Sequence, residues 1–380
     1  MAQHNSAFDF SLAQAFCLNG EVTEVVFPYG EGHINDTAKV VTADSQGGRH
    51  EYILQQINCR VFHHPEQVMA NISAVTDYLR HKISQEGGDP DRETMELIHT
   101  QDGGNYKRQP DGTVWRAYSF VPDSLTLQYC RSPEDFYRAA LAFGTFQRRL
   151  LDYPADSLYE SIPHFHDTPK RMETFRQTLA VDALDRAAAA AEEIEFVLSR
   201  AEDCHHLTDL LRQQRLPLRV THNDTKLNNV LFDALSGDAL CVVDLDTVMP
   251  GLSAYDFGDA IRFGASTAAE DETDLSLVKL DFDLYAAYCR GYLEAVGSCL
   301  TADELQSLPW GARVITLETG IRFLTDFLDG DHYFKTSYPE HNLIRARTQF
   351  KLVRDMEAQW DELGAVINAR QRSVTLGADK

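Results

Sequence analysis

A polar run, His222-Asn223-Asp224-Thr225-Lys226-Leu227-Asn228-Asn229, lies between two short apolar segments, and a third apolar segment, Leu240-Cys241-Val242-Val243, ends on Asp244-Leu245-Asp246. No other stretch constrains the chain as much. Leu218-Arg219-Val220 leads into the loop and Val230-Leu231-Phe232 leaves it, so the spacing predicts strand, loop, strand, turn, strand. A hairpin of the last two strands would set Asn229 and Asp244 side by side. In the pattern H-x-D-x-x-x-x-N, the Asp can orient a hydroxyl and accept its proton, while the Asn oxygen reaches a magnesium ion on nucleotide phosphates. Asp224 is therefore the candidate catalytic base, and Asn229 and Asp244 are the candidate metal ligands. A hard cation that keeps several waters needs only one or two carboxylates. An isolated H-x-D or D-x-D is common on polar loops; their order, strand context and joint spacing carry the reading.

Asp256-Phe257-Gly258 spells the magnesium motif of protein kinases, yet it follows the turn Met249-Pro250-Gly251 and no apolar strand delivers it. The metal is assigned to Asp244 for that reason. Asp256 is expected to brace the catalytic loop through backbone hydrogen bonds, with a plain helix N-cap as the alternative. Replacing Asp246 or Asp256 by alanine is expected to leave magnesium-supported ATP binding largely intact.

The chain has 380 residues and 43% hydrophobic content, enough for about two to three domains with sizeable cores. Lys and Arg total 35 against 58 Asp and Glu, a formal net charge of −23. That balance disfavours nucleic acid and anionic membranes as partners, and leaves nucleotide phosphates to a metal and backbone amides. The seven cysteines form no C-x-x-C, so neither a disulfide framework nor a zinc site is indicated, and a reducing cytoplasm is the expected location. Met1-Ala2-Gln3-His4-Asn5 lacks a basic or apolar leader, and no stretch is long and apolar enough to span a bilayer. A soluble, unprocessed protein without an obligate protein partner is expected.

Strands are expected over 22–27, 33–42, around 52–54, 94–99 and 114–121, with one helix after Pro65 bearing the stripe Val68, Met69, Ile72, Val75 and Leu79. Pro122-Asp123-Ser124 breaks the pattern. This divides the chain into a β-rich nucleotide-binding lobe over 1–121, a hinge at 122–124 and a helical lobe over 125–380 carrying the catalytic loop and acceptor site. Ser132-Pro133 and Thr168-Pro169 read as helix starts, the alanine run at 187–191 as helix interior, and 282–296, 310–328 and 341–367 as further helices. The expected class is α+β, a bilobal protein-kinase-like fold.

Gly30 and Gly32 flank Glu31 between two strands, where they could let the backbone approach nucleotide phosphates or simply turn a hairpin. His33 follows, either at a cleft mouth or on an exposed strand. Kinase-like enzymes usually carry a Lys or Arg on the third strand to grip phosphates, but this chain reads Ile53-Leu54-Gln55-Gln56-Ile57-Asn58. Gln donates a hydrogen bond without charge, so either Arg60 or Lys39 supplies a cation or the metal carries the load. Glu318, Arg322 and Asp326 stand at helical spacing before Tyr333; they form a solvated charge ladder, or Arg322 and Tyr333 meet a polyhydroxylated substrate. Phe263 is a core aromatic or an apolar face for a sugar ring.

The stretches Gly32 to Thr37, Leu54 to Asn58, Thr221 to Asn229, Asp244 to Gly251 and Tyr255 to Asp259 resemble N-acetylhexosamine 1-kinases, of the aminoglycoside phosphotransferase and choline kinase superfamily. The resemblance runs from about Val22 to the Tyr333 region. It implies ATP- and Mg2+-dependent transfer of the γ-phosphoryl group to the anomeric hydroxyl of N-acetylglucosamine or N-acetylgalactosamine, with Asp224 as base and Asn229 and Asp244 on the metal. It further implies that His33, Phe263, Arg322 and Tyr333 line the sugar site. Its departure is the uncharged third strand. Kinases of choline, aminoglycosides or homoserine share the loop chemistry. A glycosyltransferase using Asp244-Leu245-Asp246 would leave His222, Asp224 and Asn229 without a role, and a non-catalytic pseudokinase would not need Asp224, Asn229 and Asp244 together.

Overall fold

The computed structural model describes residues 10–30 and 34–377. Six strands form one sheet: β1 (Glu21–Val26), β2 (Asp36–Ala43), β3 (Arg49–Ile57), β4 (Leu97–Ile98), β5 (Lys107–Arg108) and β6 (Val114–Ser119). Their order is β1-β2-β3-β6-β4, with β5 on β6, and every pairing is antiparallel. Successive side chains alternate faces. Val40, Tyr52, Leu54, Trp115 and Ala117 therefore share one face, where they pack with Leu12, Ala13 and Phe16. On the other face the register aligns Thr37, Gln55 and Arg116 in one row across three strands. The sequence anticipates five strands; the sixth is the two-residue β5, within the Gly/Pro-containing stretch 102–112. β4 is shorter than expected because only Leu97 and Ile98 pair with β6.

The helix Pro65–Glu86 starts with proline in its first turn and ends at Gly87, whose φ of 78° favours glycine. Val68, Met69, Ile72, Val75, Leu79 and Ile83 are buried along it, the expected stripe, each contributing about 1.5–3 kcal/mol of transfer free energy. Asn71 on the same helix is also buried. Its amide donates to the Tyr159 and Val248 carbonyls (2.8 and 3.0 Å) and accepts the Tyr159 N–H (2.9 Å). These bonds tie two later pieces of chain to the β-rich region. The chain thus forms two compact units, one comprising Met1–Leu125, Leu158–Ile162 and Phe232–Val248, the other Thr126–Ser157, Pro163–Leu231 and Met249–Lys380.

Five more strands follow: β7 (Ser124–Leu125), β8 (Arg219–Thr221), β9 (Val230–Asp233), β10 (Ala239–Val242) and β11 (Met249–Gly251). They make a three-stranded sheet, β10-β9-β7, and a two-stranded one, β11-β8. The second unit, which holds β8, β11 and the start of β9, is otherwise helical. Ser132 caps the helix Pro133–Arg149 by accepting the Asp135 N–H at 3.2 Å, and Asp167 caps Thr168–Val181. Its core gathers Phe175, Phe196, Leu317, Ile321, Leu324, Phe350 and their neighbours. The alanine run is not helix interior: 187–190 form a 3-10 turn before the helix Ala191–Leu198. The Asp182 carboxylate accepts the N–H groups of Arg186 and Ala187 (2.9 and 3.2 Å) and tightens that turn. The expected helix 341–367 is two, His341–Ala358 and Trp360–Gly377, and at the break the Trp360 ring meets Trp310 edge-on at 5.0 Å. The class is α+β, as the sequence predicts, with a β-sheet N-terminal region and a helical C-terminal one. No helix among the described residues is long and apolar enough to cross a membrane.

Candidate active site

β8 and β11 pair antiparallel, Met249 opposite Thr221 and Gly251 opposite Arg219, so the loop beginning at His222 emerges beside the helix Ser253–Gly264. A Cβ at Gly251 would overlap Thr221 Oγ1, so glycine is what lets the strands approach. Asp256 lies inside that helix, not at its N-cap, which is Leu252. Its two carboxylate oxygens accept the backbone N–H groups of His222 (2.9 Å) and Asn223 (2.7 Å), and its carbonyl accepts the Thr225 hydroxyl at 2.6 Å. One turn later Asp259 accepts the Thr225 N–H at 2.9 Å and the Arg262 guanidinium at 2.9 and 3.1 Å. Two aspartates on one helix face thus hold the catalytic loop, including the left-handed Asn223 (φ 63°). Asp256 matches the bracing role read from the sequence; Asp259 was legible only as a residue of the same helix face.

Asp224, the predicted base, remains partly accessible, its side chain 27% exposed. Lys226 Nζ sits 2.7 Å from Asp224 Oδ1, and the Asn229 amide donates to the Asp224 carbonyl (2.8 Å) and to Oδ2 (3.1 Å). Burial opposes the charge on Lys226, but the Asp224 and Asp259 carboxylates raise its pKa above the ordinary lysine value. A protonated Lys226 holds the Asp224 side chain in one orientation. Both hydrogen bonds of the Asn229 amide nitrogen are thus directed to Asp224. His222 is fully buried, edge-on to Phe143 and Phe146 at 5.6 and 6.0 Å.

Burial pushes the Asp256 carboxyl up to about 6, against the pull of His222 and the two N–H groups. Because the folded value exceeds that of an unfolded aspartate, this group favours folding increasingly as pH falls through 6 towards 4, and that contribution is lost as pH rises. Protonation does, however, remove one acceptor from the loop. Turnover is expected to fall about tenfold between pH 7 and pH 5, with Asp256→Asn flattening that limb. A pH–rate profile of the two proteins, alongside melting curves at each pH, checks it.

In the other unit, Asp244 stands two residues after β10, in the left-handed region (φ 60°, ψ 59°). Asp246 is buried and engaged: it takes a short ion pair with Arg116, and the Asn35 amide donates to it at 2.7 Å. Asp246 is therefore no free ligand for a D-x-D metal pair. Among the described residues no cluster of three or more His, Cys, Asp or Glu could hold a metal alone. A lone carboxylate such as that of Asp244 is the kind of ligand that suits a magnesium ion whose other ligands are phosphates and water. Gly30 has a φ of 78° with open space around it, as an approach to phosphates or a plain turn requires; Gly32 and His33 lie outside the described residues.

Phe263 lines a cavity of about 540 Å³ with Leu227 of the catalytic loop, Gln128, Glu270, Thr348 and Gln349. Arg322 and Tyr333 are not in that lining. They meet elsewhere in the same unit, Arg322 Nη2 lying 3.4 Å from the Tyr333 hydroxyl, with its guanidinium among the rings of Phe165, Tyr333 and Phe334. The solvated-ladder alternative does not hold. Glu318 is buried and bonded to His166 (3.0 Å) and Thr168 (2.6 Å). Asp326, also buried, accepts the backbone N–H groups of His332, Tyr333 and Phe334 at 2.8–2.9 Å, which shapes the turn that presents the exposed Tyr333. Arg322 has no carboxylate partner among the described residues.

A strand-borne loop with a held carboxylate, set in an α+β chain of this order, defines a kinase-like phosphotransferase. The chain belongs to the APH phosphotransferase enzyme family, whose sequence profile matches residues 26–294. It shares its fold with an aminoglycoside phosphotransferase from Alicyclobacillus acidocaldarius (TM-score 0.58, 14% identity, 97% of each chain covered). It is similarly like the microcompartment-associated aminopropanol kinase (0.57, 14%, 94% of this chain and 99% of that one). The amicoumacin kinase hAmiN, in complex with AMP-PNP, Ca2+ and amicoumacin, is a third (0.56, 14%, 91% of each).

Proposed function

We propose that this chain is an ATP- and Mg2+-dependent kinase that phosphorylates the anomeric hydroxyl of N-acetylhexosamines, N-acetylglucosamine or N-acetylgalactosamine. Asp224 aligns the acceptor hydroxyl and takes its proton as the bond to phosphorus forms, while Lys226 and Asn229 keep the carboxylate oriented. Asn229 and Asp244 would hold the magnesium, which supplies charge stabilisation on the phosphates. Gly30 and Gly32 would lie at the nucleotide and Phe263 at the sugar; the resemblance adds His33, Arg322 and Tyr333 to the sugar site, the last two standing outside the cavity that Phe263 lines.

The observation that carries the choice of a neutral acceptor is the charge state of the cavity beside the catalytic loop. Its only lining carboxylate among the described residues, Glu270, is already neutralised by Arg262 at 3.1 Å and Arg345 at 3.8 Å. Amine-bearing acceptors, such as the aminopropanol of one structural neighbour, need a carboxylate without a cation. An uncharged sugar needs apolar faces such as Phe263 and polar groups such as the buried Gln349, whose Oε1 has no partner among the described residues.

An ATP-consumption screen over N-acetylglucosamine, N-acetylgalactosamine, glucose, galactose, choline, homoserine and kanamycin tests the proposal. The N-acetylated sugars are expected to exceed the cationic acceptors by at least about 100-fold in kcat/KM. The product should release phosphate in mild acid, as anomeric phosphates do. An acid-stable product, or choline or kanamycin as the best acceptor, would overturn the sugar 1-kinase reading.

A further inference from the structure

The third strand lacks the cation that the family resemblance leads one to expect, and neither sequence candidate is well suited to supply it. Lys39 is paired with Glu51 at 3.1 Å and stacked over Phe120 at 3.9 Å, while Arg60 is exposed. A different cation stands one strand over. Arg116 on β6 is directly opposite Gln55 of β3, on the sheet face away from the apolar core, and only 1% exposed. Its Nε and Nη2 donate to Gln55 Oε1 at 3.2 and 2.9 Å, and the Gln55 amide donates in turn to Thr37 Oγ1 at 3.1 Å. The remaining Nη1 holds Asp246. Asp246 also accepts from Asn35, whose Oδ1 accepts the Asn58 N–H at 3.0 Å. A continuous polar network therefore joins Asn35, β2, the end of β3, β6 and the Asp244-Leu245-Asp246 turn.

This geometry explains the uncharged third strand. A lysine at position 55 would set a second cation against the Arg116 guanidinium, whereas the Gln carbonyl accepts two of its N–H groups. We propose that Arg116 is the positioning residue of the metal turn: from β6 and through Asp246 it fixes the turn on which Asp244 stands, in place of a third-strand cation. Arg116 need not touch the nucleotide. Its buried pair with Asp246 is directional, and the guanidinium fork is held on both sides, so the turn has one resting geometry. It follows that Asp246 is not dispensable for magnesium-supported ATP binding, contrary to the expectation from sequence.

The inference rests on Asp244 as the metal residue, so Asp244→Ala is measured in parallel. Calorimetry with ATP, with and without Mg2+, and melting curves are run on Arg116→Met, Arg116→Lys and Gln55→Leu. Arg116→Met is expected to weaken Mg2+-ATP binding at least about tenfold while metal-free ATP binding stays within about twofold, and Arg116→Lys to recover part of the loss. Should Arg116→Met not fold, Gln55→Leu, which keeps both charges and removes the buttress, is expected to show the same metal-selective loss at about threefold. Arg116→Lys and Gln55→Leu that bind Mg2+-ATP like the parent, or lose ATP equally with and without metal, overturn the proposal. If Asp244→Ala itself keeps its metal dependence, the metal assignment fails; if it loses it and the Arg116 and Gln55 variants do not, only the present inference fails.

Discussion

Asp224→Asn is expected to lower turnover by about 100-fold or more while ATP and acceptor affinities stay within a few-fold of the parent. The substitution keeps the shape of the side chain and an oxygen for the Asn229 amide, and removes the charge that takes the proton. General-base catalysis contributes about 10²- to 10⁴-fold, roughly 3 to 5 kcal/mol of barrier. Lys226, 2.7 Å from Asp224 Oδ1, loses its counter-ion in this variant, but both groups are partly exposed, so the cost in stability is small. Steady-state kinetics in an acceptor-dependent assay, with binding measured separately, reads the two effects apart. Near-parent turnover would remove Asp224 from the role of base; a joint collapse of melting temperature and nucleotide affinity would make it a structural residue.

The second large effect separates the two aspartates that compete for the metal. Asp244→Ala is expected to abolish turnover and the Mg2+ dependence of ATP binding. Asp256→Ala, by contrast, leaves two N–H groups of the catalytic loop, those of His222 and Asn223, buried without an acceptor. Each unsatisfied group costs about 1–3 kcal/mol, so the Asp256 variant should melt several degrees lower yet still bind ATP more tightly with Mg2+ than without it. Calorimetric titration of both variants decides the point. The opposite pattern would return the metal to the Asp-Phe-Gly segment.

Much of the site was legible in the chain because its parts are close in sequence. The H-x-D-x-x-x-x-N loop, the strands that carry it and the helix that follows are set by local alternation and spacing, and the bracing role of Asp256 follows from its failure to sit after a strand. Lys226 escaped notice although it is two residues from Asp224, because a lysine on a polar loop carries no signal until its partner's position is known. Asp246 carries no sequence signal beyond its place beside Asp244, and Arg116 carries none. The two are 130 residues apart, and nothing in either neighbourhood points to the other.

The sequence by itself determined the α+β class and the H-x-D-x-x-x-x-N loop with its chain order of candidate base, amide and aspartate, since these rest on backbone periodicity and on residue chemistry at fixed spacing. Tertiary structure decided the rest. Only the antiparallel register sets Gln55 against Arg116, only the buried Asp326 turns Tyr333 towards Arg322, and only folding leaves Glu270 neutralised in the cavity wall. Each of these is an interaction between groups distant in the chain, whose sign and strength depend on burial and geometry, and neither quantity exists before the chain has folded.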